Sequence, residues 1–116
     1  MRIEKELMRG AGPLAVLHLL STGEKYGYAL IERLDKGTDG ILDMGQSTLY
    51  PMLYNLEAKG LITSRLDQTG PRARRYYSLT DKGSSRLCED VKQWQALLKA
   101  MTSLGLGPQA ASVALA

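Results

Sequence analysis

Arginine side chains are concentrated in one short stretch of the sequence, between Arg65 and Arg75. That stretch holds four arginines and a single carboxylate, Asp67, so its net charge of +3 equals that of the whole chain. A guanidinium group is planar, always charged and rich in N–H donors, which suits it to phosphate oxygens. Gly70 and Pro71 indicate a turn between two strands. The pattern predicts a basic β-hairpin that can hold the backbone of a polyanion.

A second group of chemistry-bearing residues precedes the hairpin, in the segment from Gln46 to Lys59. At 100° per residue its leucines share one helical face, and the opposite face carries small, hydroxylated and aromatic side chains. A solvated helix face is usually charged, so this composition favours contact with a partner such as a DNA groove. The inner face contains Leu49, Leu53 and Leu56 with Met52 beside them, and the outer face contains Ser47, Pro51, Tyr54 and Ala58.

Particular residues of this helix suit particular contacts with DNA. Ser47 and Thr48 lie near its predicted N-terminus and can donate to phosphates or base edges. Gln46 is a candidate for contact with adenine, and Tyr50 or Tyr54 could contact the backbone or a thymine methyl group. Because Tyr50 falls between the two faces, packing in the core is an equal alternative for it.

The predicted hairpin supplies further candidates. Arg72 and Arg74 would bind phosphates or reach into a minor groove. Arg75 shares a strand face with Tyr77, which leaves its contact with DNA open. Phosphate contacts predict that affinity falls as salt rises. Secondary phosphate candidates are Lys25, Tyr28 and Lys59, although charged surface residues are usually only solvated.

Composition restricts the other classes of function. At 116 residues the chain is one small domain, with or without an appendage, and its core is thin unless a partner extends it. The single Cys88 and single His18 allow neither a disulfide framework nor an ordinary metal site. Neither has a visible catalytic partner, so we predict neither an enzyme nor a cofactor. The charged N-terminus and the lack of a long apolar run predict a cytoplasmic protein without a membrane span.

The N-terminal part of the sequence predicts two helices and a short strand. The apolar run Pro13–Leu20 indicates a buried helix. The glycines and the proline at 10–13 leave open whether residues 1–12 continue that helix or whether the chain bends there. The segment KYGYALIERLDKG indicates a second, amphipathic helix. A very short strand is predicted at Ile41–Leu42, and Asp43 is a candidate cap for the helix that follows.

The C-terminal part predicts a hairpin and a long helix. The predicted strands are Leu61–Leu66 and Arg74–Leu79, with Tyr77 on the inner face. Thr80 is a good N-cap for a final helix that ends near Leu104. The elements together predict a mainly α fold with a small antiparallel hairpin (α+β), namely a winged helix-turn-helix followed by a long C-terminal helix. The predicted units are the DNA-binding winged helix-turn-helix at 1–80, a dimerisation helix at 81–104 and a disordered tail at 105–116.

The final helix carries an apolar seam at heptad spacing, which favours pairing with a second copy of the chain. Packing of this stripe on the same chain's first helix is the alternative. Two protomers would bring two copies of Trp94 near a common axis and could form a pocket for a hydrophobic or aromatic effector. The predicted dimer interface is Leu87, Val91, Trp94, Leu98 and Met101, and the predicted pocket is Trp94, Leu97, Leu98 and Met101.

Three segments together carry a family resemblance: YGYALIERL, STLYPMLYNLEAKGLI and PRARRYYSLTDKG. They resemble the corresponding segments of the PadR family of bacterial transcriptional regulators, and the resemblance covers almost the whole chain up to Met101. It implies a homodimer, usually a repressor, that binds double-stranded DNA at an inverted-repeat operator and is often released by a small molecule. It also implies that the first and last helices build the dimer interface. The glycine-rich segment at 10–13 departs from the family's commonly unbroken first helix.

The predicted mechanism is occupancy of a pseudo-palindromic site by a dimer, which blocks transcription until an effector changes the angle between the two recognition helices. The alternative hypothesis is a winged-helix protein-interaction module without specific DNA binding. A wing dominated by arginine favours DNA, because an acidic or apolar wing would favour a protein partner.

Overall fold

The computed structural model describes residues 1–108, which form four helices and three short strands. Most of the predicted disordered tail, residues 109–116, lies outside the described residues. No helix within residues 1–108 combines the length and apolarity that a membrane crossing requires. In chain order the elements are α1 (Lys5–Ser21), β1 (Lys25–Tyr26), α2 (Gly27–Lys36), α3 (Gln46–Ala58), β2 (Ile62–Asp67), β3 (Arg74–Leu79) and α4 (Asp81–Ser103).

Leucines from the first three helices fill the core together with residues of the sheet. The predicted inner face of α3 is confirmed, because Leu49, Leu53 and Leu56 are all buried. Burial of a leucine side chain stabilises the fold by about 2 kcal/mol, so this face is strongly held inward. The outer face of α3 is therefore directed to solvent. The most deeply buried side chains are Val16, Leu17, Leu30, Leu34, Leu49, Leu53 and Ile62.

α1 runs from Lys5 to Ser21 through the glycine-rich segment at 10–13, so residues 5–12 belong to the same helix as the apolar run that follows. Gly12 is buried where the side chain of Met52 packs against α1, and a Cβ at Gly12 would lie 2.8 Å from the Met52 Cε. The glycine therefore permits close packing between α1 and α3. Pro13 removes one backbone hydrogen bond from α1, a loss that burial of the helix outweighs.

The short strand that precedes the hairpin is β1, at Lys25–Tyr26. Its predicted position at Ile41–Leu42 was wrong. β1 pairs with β3 and gives the antiparallel sheet the order β1-β3-β2. α2 consequently begins at Gly27. Residues 38–42 form turns, in which Asp39 takes a left-handed conformation with φ 51°. Residues 25 and 26 become a strand because they pair with the open edge of β3. Local β-propensity over two residues is too weak to define a strand by itself.

α3 begins and ends at glycines. Gly45 occupies the N-cap position of α3. The prediction that Asp43 caps this helix was therefore wrong. The Asp43 carboxylate instead pairs with Arg2 at 2.6 Å. At the other end Gly60 has φ 77°, the left-handed conformation that follows many helix C-termini.

The pairing register sorts the sheet into two faces. Lys25 lies opposite Tyr77 on one face, and Tyr26 lies opposite Tyr76 on the other. Arg65 of β2 is also opposite Tyr76. Because Tyr77 is buried as predicted, the outer face of the sheet belongs to Tyr26, Arg65 and Tyr76.

α4 begins where the sequence predicts. The Thr80 hydroxyl accepts a hydrogen bond from the Gly83 N–H at 3.0 Å, which caps the helix. Gly83 is buried against the carbonyl group of Leu61, and a Cβ at Gly83 would lie 1.9 Å from that oxygen. Only glycine allows α4 to approach the base of the hairpin this closely.

Candidate nucleic-acid interface

An open groove lies between the first turns of α2 and α3 and the β-hairpin, here called the wing (residues 62–79). Its volume is about 420 Å³. The groove is cationic, because three arginines and no carboxylate from residues 1–108 line it. Six of the predicted DNA-contacting residues, from three separate segments of the sequence, meet here. The groove is lined by Tyr26, Gly27, Tyr28, Gln46, Tyr50, Arg72, Ala73, Arg74 and Arg75.

The first turn of α3 presents hydrogen-bond donors beside this groove. Gly45 has no side chain that could accept hydrogen bonds from the first-turn amides. The side chains of Gln46, Ser47 and Thr48 are all exposed. The amides and the helix dipole favour an anion at this end of a helix. The start of α3 is therefore suited to a phosphate or to polar base edges.

Tyr50 forms the wall of the groove between α2 and α3. Its side chain is 41% exposed, so it lies between the core and the solvent. A Cβ at Gly27 would lie 2.3 Å from the Tyr50 hydroxyl oxygen, so the glycine gives the phenol room against the start of α2. Tyr54 is 74% exposed and Lys59 is exposed beyond the C-terminal end of α3, and neither lines the groove. Gly27 was not among the predicted site residues, because its role depends on contact between two helices.

The three groove arginines differ in their surroundings within the chain. Arg74 places its guanidinium carbon 4.6 Å from the ring centroid of Tyr26. Arg75 donates from Nη1 to the Ser64 hydroxyl at 3.2 Å, on the inner face of the hairpin. Arg72 is exposed near the tip of the wing. No carboxylate among residues 1–108 lies within 4.0 Å of these three guanidinium groups, so their charges are available to an external anion.

A cluster of tyrosines beside the wing arginines was not predicted. Tyr26 stacks on Tyr28 with ring centroids 6.5 Å apart and meets Tyr76 edge-on at 5.7 Å. The guanidinium group of Arg65 lies 5.0 Å from the ring centroid of Tyr76. Strand alternation could have placed Tyr76 beside Arg74, but the contact with Tyr26 requires β1, whereas the short strand was predicted at Ile41–Leu42.

Arg65 is neutralised within the chain, unlike the groove arginines. Glu24 accepts hydrogen bonds from the Arg65 Nε, at 3.2 Å, and from its Nη2. These hydrogen bonds hold the pKa of Glu24 below its ordinary value and raise the pKa of Arg65. Because both side chains are exposed, the pair contributes little to stability, but it reduces the positive charge that Arg65 offers to DNA.

Lys25 is directed into the protein, which corrects its predicted role as a phosphate contact. The residue is only 9% exposed. Its Nζ donates to the carbonyl groups of Leu19 (2.9 Å) and Gly23 (3.0 Å) and to the Thr22 hydroxyl (2.8 Å). Burial lowers the pKa of Lys25, and the charge of Arg33 lowers it further. The ammonium group satisfies carbonyls at the C-terminal end of α1, so it is not presented to a DNA backbone.

A second, apolar surface lies on the C-terminal half of α4. The predicted seam divides into two parts, because Leu87 is buried and Val91 packs partly against the core of its own chain. Farther along the helix Trp94 is 41% and Leu98 is 48% exposed. We call this exposed part the α4 stripe, and it consists of Trp94, Leu97, Leu98, Met101 and Leu104.

The two residues that could have indicated an enzyme lie apart from the groove. His18 is exposed on α1, and Cys88 is exposed on α4 with a free thiol. Within residues 1–108 no three histidine, cysteine, aspartate or glutamate side chains are grouped closely enough to hold a metal ion.

Comparison with known proteins connects this fold to a family. The model of the transcriptional regulator PadR-like family matches residues 16–89, more than half of the chain. A transcriptional regulator of Mycobacterium tuberculosis is 34% identical over 95 residues, which cover 82% of this chain and 86% of that protein.

Solved structures show the same similarity. A PadR family transcriptional regulator from Eggerthella lenta matches with a TM-score of 0.75 at 36% identity, over 85% of this chain and 85% of that one. A PadR-like transcriptional regulator from Bacillus cereus matches with a TM-score of 0.77 at 28% identity, over 89% of this chain and 99% of that one. These matches confirm the predicted winged-helix fold and the resemblance of the three sequence segments. The chain belongs to the PadR-like family of transcriptional regulators.

Proposed function

We propose that this PadR-like protein is a homodimeric repressor that binds double-stranded DNA at an inverted-repeat operator in the cytoplasm. The observation that carries the proposal is the groove, in which the first turn of α3 and three wing arginines face one opening. Membership of a family of transcriptional regulators supports DNA as the partner.

The groove geometry fits a duplex held by its groove and its backbone together. The major groove of B-DNA is about 12 Å wide and admits an α-helix, so α3 enters with its N-terminal turn against the bases. Gln46 is then the candidate for contact with adenine, and Ser47 and Thr48 donate to base edges or phosphates. Arg72 and Arg74 bind the adjacent phosphates or reach into the minor groove. Residues 1–80 are the proposed DNA-binding unit.

A second copy of the chain is the proposed cover for the α4 stripe. Exposed apolar side chains at heptad spacing are stabilised when a partner helix removes them from water. The molecule measures 58 × 28 × 21 Å, an elongated shape that is consistent with α4 extending from the winged unit as an arm. Residues 81–104 are therefore the proposed dimerisation unit, which would hold two copies of α3 at a fixed spacing.

We also propose that a small hydrophobic or aromatic effector relieves repression. In the proposed dimer the two copies of Trp94 approach a common axis, with Leu97, Leu98 and Met101 as adjacent walls. Exposure of Trp94 in one protomer supports a site that forms only in the pair. Binding there would change the angle between the two recognition helices and lower operator affinity.

The operator proposal is tested by gel shift with the DNA that lies upstream of the protein's own reading frame. We expect a shift that survives an excess of nonspecific DNA at moderate salt, because base contacts add to the phosphate contacts. Binding without sequence preference under these conditions would contradict the operator proposal. That result would favour the alternative, a winged-helix protein-interaction module without specific DNA binding.

The wing is tested with Arg72→Ala combined with Arg74→Ala. We expect weaker operator binding, and we expect the slope of log affinity against log salt to decrease by about 0.9 for each phosphate that the variant no longer binds. Lys92→Ala combined with Lys99→Ala removes the same charge from the exposed side of α4 and serves as the matched control. If the two double variants bind equally well, the wing does not contact DNA.

The effector site is tested through tryptophan fluorescence, because Trp94 is the single tryptophan of the chain. A planar hydrophobic probe such as anilinonaphthalene sulfonate should quench Trp94 emission and release the operator over the same concentration range. Quenching without release would show binding that is not coupled to DNA.

A further inference from the structure

The tyrosine cluster on the outer face of the sheet supports a specific role within the proposed function. We propose that Tyr26 is a positioning residue for DNA binding: its ring holds the Arg74 guanidinium group in the groove that Gln46 also lines. The inference rests on the proposed function and adds a residue that makes no DNA contact of its own.

The contact between Tyr26 and Arg74 has the geometry of a cation–π interaction. The guanidinium carbon lies 4.6 Å from the ring centroid, inside the range of about 6 Å over which such contacts are attractive. Sheet register explains how the two residues meet. Tyr26 is opposite Tyr76 in the antiparallel pair, and Arg74 precedes Tyr76 by two positions on β3, so it is the diagonal neighbour of Tyr26 on the same face.

The ring of Tyr26 is itself held in place. Tyr76 contacts it edge-on at 5.7 Å and Tyr28 stacks on it at 6.5 Å, so two neighbouring rings restrict its rotation. The pairing of β1 with β3 fixes the backbone beneath it. The ring is therefore a rigid platform for a flexible side chain.

Arg74 forms no ion pair within 4.0 Å with the carboxylate opposite it on β2, so its N–H donors remain available to DNA. Asp67 is the partner of Arg74 in the strand register. Its carboxylate accepts hydrogen bonds from the Thr69 N–H at 3.0 Å and from the Thr69 hydroxyl at 2.7 Å, and it forms no ion pair with Arg74 within 4.0 Å.

Arg65 also stacks on a tyrosine, Tyr76, but its charge is neutralised by Glu24. No carboxylate of residues 1–108 forms an ion pair with Arg74, so of these two stacked arginines Arg74 is the one whose charge is left for DNA. An exposed arginine otherwise loses side-chain freedom when it binds phosphate, which opposes binding. The Tyr26 ring imposes part of that restriction before DNA arrives.

The test measures operator affinity for Tyr26→Leu, Tyr26→Phe and Arg74→Ala in the full-length protein. Tyr26→Leu removes the π-face of the ring. We expect the dissociation constant for the operator to rise about 5-fold, since each exposed cation–π contact is weak and the dimer contains two of them. Tyr26→Phe keeps the ring, so it should bind as the wild type does. In the Arg74→Ala background, Tyr26→Leu should cause no further loss.

Two outcomes would overturn the proposal. If Tyr26→Phe loses as much affinity as Tyr26→Leu, the hydroxyl contacts DNA directly. If Tyr26→Leu and Arg74→Ala lose affinity additively, the two residues act independently.

A measurement without DNA separates this inference from the proposed function and does not depend on how a variant folds. In the wild-type protein the Tyr26 ring current should move the Arg74 side-chain δ-proton resonances upfield. Unshifted resonances would show that the ring does not hold Arg74. A wild-type protein that shows the shift but has no operator affinity would contradict the proposed function and leave the contact established.

Discussion

The wing groove and the α4 stripe are both exposed, but they are built differently. The groove takes side chains from β1, α2, α3 and the wing, and contacts within the chain hold several of them, such as Arg74 on Tyr26. The stripe takes its side chains from the C-terminal half of a single helix. Charged and phenolic groups are stable in water, so one chain can complete a cationic groove. Exposed apolar side chains remain unfavourable until another surface covers them.

The largest expected effect is at Gly83, where the helix that carries the stripe docks at the base of the wing. In Gly83→Ala the new methyl group would overlap the Leu61 carbonyl oxygen, which lies 1.9 Å from the Cβ position. We expect the free energy of unfolding, measured by urea denaturation, to fall by about 3 kcal/mol.

Gly10→Ala is the matched control for that substitution. Gly10 lies in α1 with nothing within 4 Å of its Cβ position, so the alanine should stabilise the protein by about 0.5 to 1 kcal/mol. Equal stability of the two variants would mean that α4 does not dock closely on the wing.

The next effect separates the two surfaces. Leu98→Lys places a charge in the proposed dimer interface, and we expect the dimer dissociation constant to rise about 100-fold or more in sedimentation experiments. Ala96→Lys adds the same charge on the opposite side of α4 and should leave the dimer intact. A Leu98→Lys protein that remains dimeric would exclude the α4 stripe as the interface.

A smaller effect is expected inside the groove without any change of charge. Gly27→Ala places a methyl group 2.3 Å from the Tyr50 hydroxyl oxygen, so the phenol must move. We expect a loss of stability of about 1 kcal/mol, because a side chain yields more easily than backbone, together with several-fold weaker operator binding. The loss of stability should shrink in a Tyr50→Ala background. If it does not, Tyr50 does not pack on Gly27.

The smallest effect concerns the ion pair between Glu24 and Arg65. Because Arg65 lowers the pKa of Glu24, the pair stabilises the folded protein above the unfolded-state pKa of about 4.3. That contribution disappears as the pH falls through the lower folded-state pKa. Thermal scans should show Glu24→Gln slightly less stable than the wild type at neutral pH and equal to it in strong acid, whereas Glu89→Gln serves as a control. A difference that increases toward acid would contradict this sign.

Local patterns account for much of the fold. The burial of Leu49, Leu53 and Leu56 follows from helical periodicity, and the burial of Tyr77 follows from strand alternation. The Thr80 cap was also predictable, because it involves residues within one helical turn. β1 could not be predicted, because two residues carry no periodicity and become a strand only against the edge of β3.

The candidate site shows the same division. The types and spacing of Gln46, Tyr50 and Arg74 indicated contact with DNA, because hydrogen-bonding capacity and charge are properties of single residues. Lys25 carries the same charge as a phosphate-binding lysine, but packing turns its ammonium group toward the carbonyls of α1. Residue type alone therefore cannot show which cations face outward.

The amino-acid sequence was sufficient to specify the winged-helix class, the family and the basic hairpin, because these depend on periodicity, turn residues and motifs that are local along the chain. Packing between distant segments decided which cations are available to a partner. It paired Arg65 with Glu24 and buried Lys25. It also placed Tyr26 under Arg74, since β1 and β3 are separated by almost 50 residues and meet only when the sheet forms.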